Sequence, residues 1–158
     1  MKPSGPQRTV HIICGEGSGV DSARRLLLRG YRVSLGVLNT GDTDQKIGRT
    51  LGLPMALEGP FSAISERGME ENRKLIEKAD LVLVERFHVG PGNLDNLRAA
   101  LEALDKGKKV IVLENNLEYD FTGGEAKAYY QRLKEREAVF IPDHSRLLEE
   151  AERYLNPS

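Results

Sequence analysis

Thr9–Gly19 reads TVHIICGEGSG, a β-branched apolar run that stops abruptly in a glycine-rich loop. A run of this kind, apolar at successive positions rather than alternating, is the pattern of a strand buried on both faces, as in a parallel sheet. The residues after it change period. From Val20 to Arg29, Ala23, Leu26 and Leu27 recur at helical spacing, and Gly30 stands where a helix C-terminal glycine belongs. Strand, glycine loop and helix in that order make the first half of a βαβ unit, and the fold follows from how often the unit recurs.

It recurs along the chain. Tyr31–Leu38 (YRVSLGVL) reads as the second strand, followed by the turn-rich NTGDTD, where Asp42 or Thr43 can cap a helix running to about Leu51. Pro54–Leu57 is a weaker strand, and the loop GPFSAIS leads into a charged helix over 65–78 with Ser65 as its cap. The segment 79–85 contains LVLV and empties into a second glycine-rich loop, HVGPGN. A helix over 93–106, a strand at Lys109–Leu113, a helix over 124–137, a strand over 138–142 and a terminal helix over 143–155 complete the alternation. Strands alternating with helices of this length imply a mostly parallel sheet of five to six strands, covered on both faces. That is a three-layer αβα, Rossmann-like sandwich. No internal repeat interrupts it. Residues 1–8 (MKPSGPQR) read as a flexible N-terminal segment and 9–156 as one domain.

Composition bounds the function. The chain has 158 residues, within the range of one hydrophobic core, and its 23 basic and 24 acidic residues give a formal net charge of -1. No overall field draws such a chain to nucleic acid or to an anionic membrane, so any anion site must be local. The sequence has no apolar run of membrane-spanning length and no secretory signal, so a cytoplasmic location without membrane insertion is expected. The single cysteine, Cys14, excludes an intrachain disulfide and a multi-thiolate metal site.

In a sheet of this kind, ligands bind outside the carboxyl ends of the strands, so the loops there are read most closely. Gly15, Glu16, Gly17, Ser18 and Gly19 lie between a strand and a helix, where missing β-carbons admit a ligand to the backbone and the helix N-terminus favours an anion. Val20 stands in the place of the third glycine of G-x-G-x-x-G, and no Lys-Ser/Thr pair follows, which argues against nucleotide hydrolysis by this chain alone. A tight turn alone would also explain the glycines. Gly90, Pro91, Gly92 and Asn93 form a second such loop, with Asn93 placed to cap the next helix. If the strands before the two loops are neighbours, both helix N-termini converge on one anion site.

Asn39, Thr40, Asp42 and Asp44 can hydrogen-bond a sugar hydroxyl or hold a hydrated magnesium ion, and can equally serve as caps. Phe61 and Ser62, with Glu58 and Ser65 nearby, suit the lip of a pocket or a plain apolar plug. Glu85 and Arg86 close the LVLV strand and are candidates for the site, against the alternative of a solvated salt bridge. Glu85 and His88 are the candidate catalytic residues, as acid or base. His11, inside a strand, reads as a hydrogen-bonded core histidine, and His144 as a surface or capping residue, neither belonging to a ligand cluster. Cys14 reads as buried packing, since nothing near it supplies an activating histidine. No metal site and no required cofactor are expected.

HIICGEGSG, RGYRVSLGVLNTGDTD, EGPFSAISE and HVGPGNLDNL, in that order over roughly residues 9–116, resemble the domain appended after the ATPase module of cobalamin and iron-siderophore ABC importers. The two glycine loops are also similar in layout to the lonely-guy phosphoribohydrolases and DNA-processing protein A, a Rossmann-like superfamily. The resemblance implies a ligand-sensing or regulatory domain, with ABC transporter subunits as partners and Gly15, Gly17, Gly19 and Gly90 to Asn93 at the ligand. The phosphoribohydrolases carry P-G-G-x-G-T-x-x-E at the second loop, and this chain reads PGNLDNL, without the threonine or the glutamate. Base-off cobalamin domains carry D-x-H-x-x-G, which is missing, so a corrinoid ligand is not expected.

These readings favour a binding module for a nucleotide or other phosphorylated metabolite. The rivals are an N-glycosidic hydrolase of nucleoside monophosphates, using Glu85 or His88, and an interaction domain that docks on a transporter or forms a homodimer.

Overall fold

The structure is a computed structural model that describes residues 7–13, 20–36, 51–52, 66–85, 91–113 and 124–156. Five strands alternate with five helices over these residues: β1 (Thr9–Ile13), α1 (Val20–Leu28), β2 (Arg32–Gly36), α2 (Glu66–Lys78), β3 (Leu81–Val84), α3 (Pro91–Asp105), β4 (Lys109–Leu113), α4 (Gly124–Glu135), β5 (Val139–Ile141) and α5 (His144–Leu155). All strands pair in parallel in the order β2-β1-β3-β4-β5. This is the expected Rossmann-like αβα sandwich. The further strand expected at Pro54–Leu57 and the helix ending near Leu51 fall outside the described residues, apart from Leu51 and Gly52 themselves.

Alternation along each strand divides the core in two. Val10, Ile12, Val33, Leu35, Leu81, Leu83, Ile111 and Leu113 face one way, against Ala23 and Leu26 of α1 and Leu147, Leu148, Ala151 and Leu155 of α5. Ile13, Val82, Val84, Val110 and Val112 face the other way, against Ile76 of α2, Ala99, Ala100 and Ala103 of α3 and Leu133 of α4. Both faces are therefore covered, which is why the strands read as nearly continuous apolar runs, with His11 and Ser34 as buried polar exceptions. Each fully buried leucine or isoleucine contributes about 2 kcal/mol of transfer free energy.

Helix ends explain where the elements stop. Gly30 (φ 92°) and Gly107 (φ 77°) take the left-handed conformation just beyond α1 and α3. In each case the following residue's N–H, from Tyr31 or Lys108, bonds back to Leu26 O or Ala103 O and closes the helix. After α4 the same pattern is built with Glu137 (φ 65°) in the glycine's place. The start of α3 corrects the sequence reading. Asn93 is not its cap: the helix begins at Pro91, so Pro91, Gly92 and Asn93 form its first turn. Proline fits there because its φ is already helical and its missing N–H has no intrahelical partner to lose.

Candidate functional site

From β2 the chain crosses over β1 to place β3 on the other side, so strand order reverses between β1 and β3. The two strands are in register, Ile13 opposite Val84, and the Glu85 N–H donates to Ile13 O at 2.9 Å. The strands that lead into the two glycine loops are thus direct neighbours. The helices that follow those loops start at Val20 and Pro91. This is the reversal point at which open α/β sheets take their ligands.

Glu85 is the first residue past β3 and is only 1% exposed. Its side chain reaches the α1 and α5 side of the sheet, where Ser22 in the first turn of α1 donates its hydroxyl to Glu85 Oε1. Ser22 Oγ also lies 2.7 Å from His144 Nε2, which in turn is 3.6 Å from Glu85 Oε1. A serine has one proton to give, and here it goes to the carboxylate. The Ser22 to His144 bond therefore needs Nε2–H as donor and the serine oxygen as acceptor. On the other edge of the imidazole, Nδ1 lies 3.8 Å from Asp21 Oδ2.

The position of His144 is set locally. Asp143 has extended backbone (φ -142°, ψ 162°), its side chain accepts the Arg146 N–H at 3.0 Å, and α5 begins at the next residue. That bond holds the Asp143 carboxyl below its ordinary pKa. Hydrogen bonding to Glu85 raises the His144 pKa above its ordinary value; partial burial opposes this, and the charges of Glu85 and Asp21 reinforce it. The cluster is a buried carboxylate beside a proton-holding imidazole, linked through a serine hydroxyl. It is not arranged for nucleophilic attack by serine, because an activated serine passes its proton to the histidine.

Glu85 Oε2 is buried and has no hydrogen-bond partner among the described residues. Satisfied carboxylates are the rule in protein interiors, so this atom marks a place where the described residues supply no donor.

The second buried polar cluster lies on the opposite face. His11 is wholly buried, with Nδ1 2.7 Å from Ser34 Oγ on the register-paired position of β2, and Nε2 2.5 Å from Asn72 Oδ1 on α2. Burial lowers its pKa to about 4, against a smaller raising effect of the Asn72 bond. This is the hydrogen-bonded core histidine expected from its place within a strand. Gly36 closes over it: a β-carbon there would stand 2.8 Å from both Asn72 Oδ1 and His11 Nε2.

Of the residues singled out in the sequence, Glu85 stands at the reversal point and is buried rather than forming a solvated salt bridge. Cys14, Gly15, Glu16, Gly17, Ser18, Gly19, Asn39, Thr40, Asp42, Asp44, Glu58, Phe61, Ser62, Ser65, Arg86, His88 and Gly90 lie outside the described residues. Ser22, which bonds both Glu85 and His144, is a member of this cluster that sequence reasoning missed. His144 was misread too: Asp143 does the capping, and the imidazole turns inward to Ser22 and Glu85. The available signal was a lone acidic residue ending a fully apolar strand. A cavity of about 580 Å³ lies elsewhere, lined by Gln7, Thr9, Tyr31, Arg32, Leu51 and Gly52 among others. It sits at the amino ends of β1 and β2, the end where such sheets do not place their ligand chemistry. Among the described residues no group of three His, Cys, Asp or Glu side chains could hold a metal ion, and no helix is long and apolar enough to cross a membrane.

Residues 33–148 match the sequence model of the MJ0874 family. The chain belongs to the MJ0874 family. It is 29% identical over 83 residues to protein MJ0874 of Methanocaldococcus jannaschii, a stretch covering 52% of this chain and 89% of that protein. It is 32% identical over 77 residues to the cobalamin import ATP-binding protein BtuD of Halobacterium salinarum, covering 48% of this chain and 19% of BtuD. The matched stretch is thus about a fifth of the length of BtuD. Among solved structures, DNA processing protein A from Helicobacter pylori, described by its single-stranded DNA binding mode, superposes with a TM-score of 0.57. That match has 14% identity and covers 93% of this chain and 81% of that one. At this identity the likeness of the MJ0874-family chain to DNA processing protein A is one of fold.

Proposed function

We propose that the chain is a small-molecule binding and regulatory domain for a nucleotide or other phosphorylated metabolite, taken at the carboxyl ends of β1 and β3. The observation that carries this reading is the adjacency of those two strands, which puts the exits toward both glycine loops side by side at the reversal of strand order. Backbone amides of Gly15 to Gly19 and Gly90 to Asn93 would hold the phosphate, with Asn39, Thr40, Asp42, Phe61 and Ser62 bordering the rest of the ligand and a magnesium ion as an optional companion. The partial match to BtuD supports an association with the ATPase side of an ABC-type importer, in the cytoplasm. Isothermal titration of the folded chain against nucleotides and sugar phosphates tests the reading. Saturable binding is expected, and silence across the panel at millimolar concentration rejects it.

A second reading is favoured by one observation, the buried carboxyl group of Glu85, whose Oε2 has no hydrogen-bond partner among the described residues. In that reading Glu85 is the acid or base of an N-glycosidic hydrolase acting on nucleoside monophosphates, in the manner of the lonely-guy enzymes. Release of free base that is lost in Glu85→Gln would support it. The absence of any release leaves the binding domain.

A further inference from the structure

We propose that the cavity at the amino ends of β1 and β2 binds an amphipathic anion, a carboxylate on an aliphatic tail, with Arg32 and Lys78 at its head and Leu27, Leu51 and Leu75 along its tail. The site lies at the other end of the sheet from the strand exits and is independent of the function proposed above. Its volume of about 580 Å³ lies within the range of about 300–1,000 Å³ common to small-molecule sites. The ends of α1 and α2 and the start of β2 shape it, with Leu51 and Gly52 on a further side. Leu27, Leu51 and Leu75 are each only partly buried, so they keep apolar surface that the core does not take up. Tyr31 is buried, and its hydroxyl accepts from Asn156 Nδ2, which fixes that part of the wall.

Charge selects the head group. Among the described residues that line the cavity, the charged ones are Arg32 and Lys78, both cations and both exposed. Arg32 is braced: its Nε donates to Gln7 Oε1 at 3.1 Å, and the Gln7 amide donates to Gly30 O. That bond takes one of the five guanidinium donors, and the planar fork suits a carboxylate. Asp80 accepts the Thr9 N–H at 2.8 Å, faces Arg8 at 3.7 Å and does not line the cavity. The groove of about 420 Å³ between α3 and α4 is the opposite case. There Arg98, Arg132 and Arg136 are matched by Glu102, Asp105 and Glu135, and Arg136 pairs with Asp105, so that groove has no preference for an anion. In the larger cavity a bare anion would leave the leucines uncovered, and a neutral tail would leave the two cations unmatched.

The test is calorimetric titration of the full chain with octanoate, acetate and 1-octanol. Octanoate should bind once per chain, and at least about tenfold more tightly than acetate, which lacks the tail, or 1-octanol, which lacks the charge. Replacing both cations, Arg32→Gln with Lys78→Gln, should bring octanoate down to the affinity of 1-octanol and leave 1-octanol binding unchanged. Thermal unfolding checks that this double variant is folded. Should it not fold, Lys78→Gln alone is the measure and should weaken octanoate at least about threefold. The proposal is overturned if octanoate does not bind at millimolar concentration, binds no better than 1-octanol, or binds the variant as well as the wild-type chain. Octanoate carries no phosphate, so none of these outcomes bears on the strand-exit site.

Discussion

His11 and His144 belong to buried polar clusters on opposite sides of one parallel sheet, and their surroundings drive their protons in opposite directions. His11 has neutral partners, Ser34 and Asn72, and no exposure at all; burial outweighs the opposing effect of the Asn72 bond and lowers the ring's pKa to about 4. His144 is partly exposed and lies near two carboxylates, Glu85 and Asp21, so the same imidazole is pushed toward holding its proton. One cluster is a strut that ties β1, β2 and α2 together. The other joins α1, β3 and α5 at the carboxyl end of the sheet, and it contains a carboxyl group, Glu85, where the His11 cluster has none among the described residues. What separates the two histidines is that carboxylates face His144, whereas His11 is wholly buried among neutral partners.

The largest effect expected from this contrast is acid destabilisation through His11. Its folded pKa lies below the ordinary 6.5, so the folded state binds fewer protons than the unfolded one. The stability contribution is complete above about pH 6.5, falls as the pH drops, and is spent once the pH passes below about 4. The loss amounts to about 3 kcal/mol. Urea unfolding measured at intervals over that range should show this slope in the wild-type chain and a much flatter one in His11→Gln. Equal slopes would mean that His11 is not the neutral strut described.

A smaller but sharper probe is Gly36→Ala. The added β-carbon would press against both Asn72 Oδ1 and His11 Nε2 at 2.8 Å, two atoms fixed by their bond to each other. A loss of about 2 kcal/mol is expected from overpacking, with the acid slope altered because the His11 to Asn72 bond must lengthen. Thermal unfolding at neutral pH checks the first part. A neutral substitution would show that the cluster yields easily, and would weaken the contrast with the strand-exit cluster.

Much of this was legible in the sequence, and for physical reasons. The strands were readable because both faces of the sheet are covered, which leaves apolar runs such as Val10–Ile13 and Leu81–Val84 with His11 as the sole polar interruption. Helix ends were readable at Gly30, where the chain needs a left-handed residue, and misplaced at Asn93, because a proline start looks like a loop until the backbone is seen. The cluster of Ser22, Glu85 and His144 was not legible. Its members are 63 and 122 positions from Ser22, and only the strand order, which no local pattern encodes, brings α1 and α5 to the end of β3. Glu85 could be suspected because it follows four apolar residues at a strand exit. Ser22 and His144 looked like ordinary helix-start residues.

On the other side of the contrast, Glu85→Gln should return the His144 pKa toward the ordinary imidazole value, since the bond to Glu85 is the largest cause of its elevation. The sign for stability is opposite to that of His11. A raised folded pKa stabilises the protein below the unfolded value, and the gain is lost as the pH rises through the folded value. NMR titration of the imidazole resonances in the wild-type chain and in the variant measures the shift directly. An unchanged His144 midpoint would place the source of its proton affinity elsewhere and remove the basis for treating the two histidines as opposites.

The finest division is between the two carboxylates that His144 faces. Asp21 is 3.8 Å from Nδ1 and largely exposed, at the start of α1, where it also pairs with Arg25 at 3.1 Å. Water and salt screen such a charge, whereas Glu85 is buried and hydrogen-bonds through the cluster. Asp21→Asn should therefore lower the His144 pKa by less than Glu85→Gln does, and its effect should shrink as the ionic strength is raised from 10 mM to 500 mM. The Glu85 effect should persist in salt. If instead Asp21→Asn produced the larger, salt-resistant shift, the proton of His144 would be held from the surface, and the buried carboxylate would stand at the strand exits without its counter-charge.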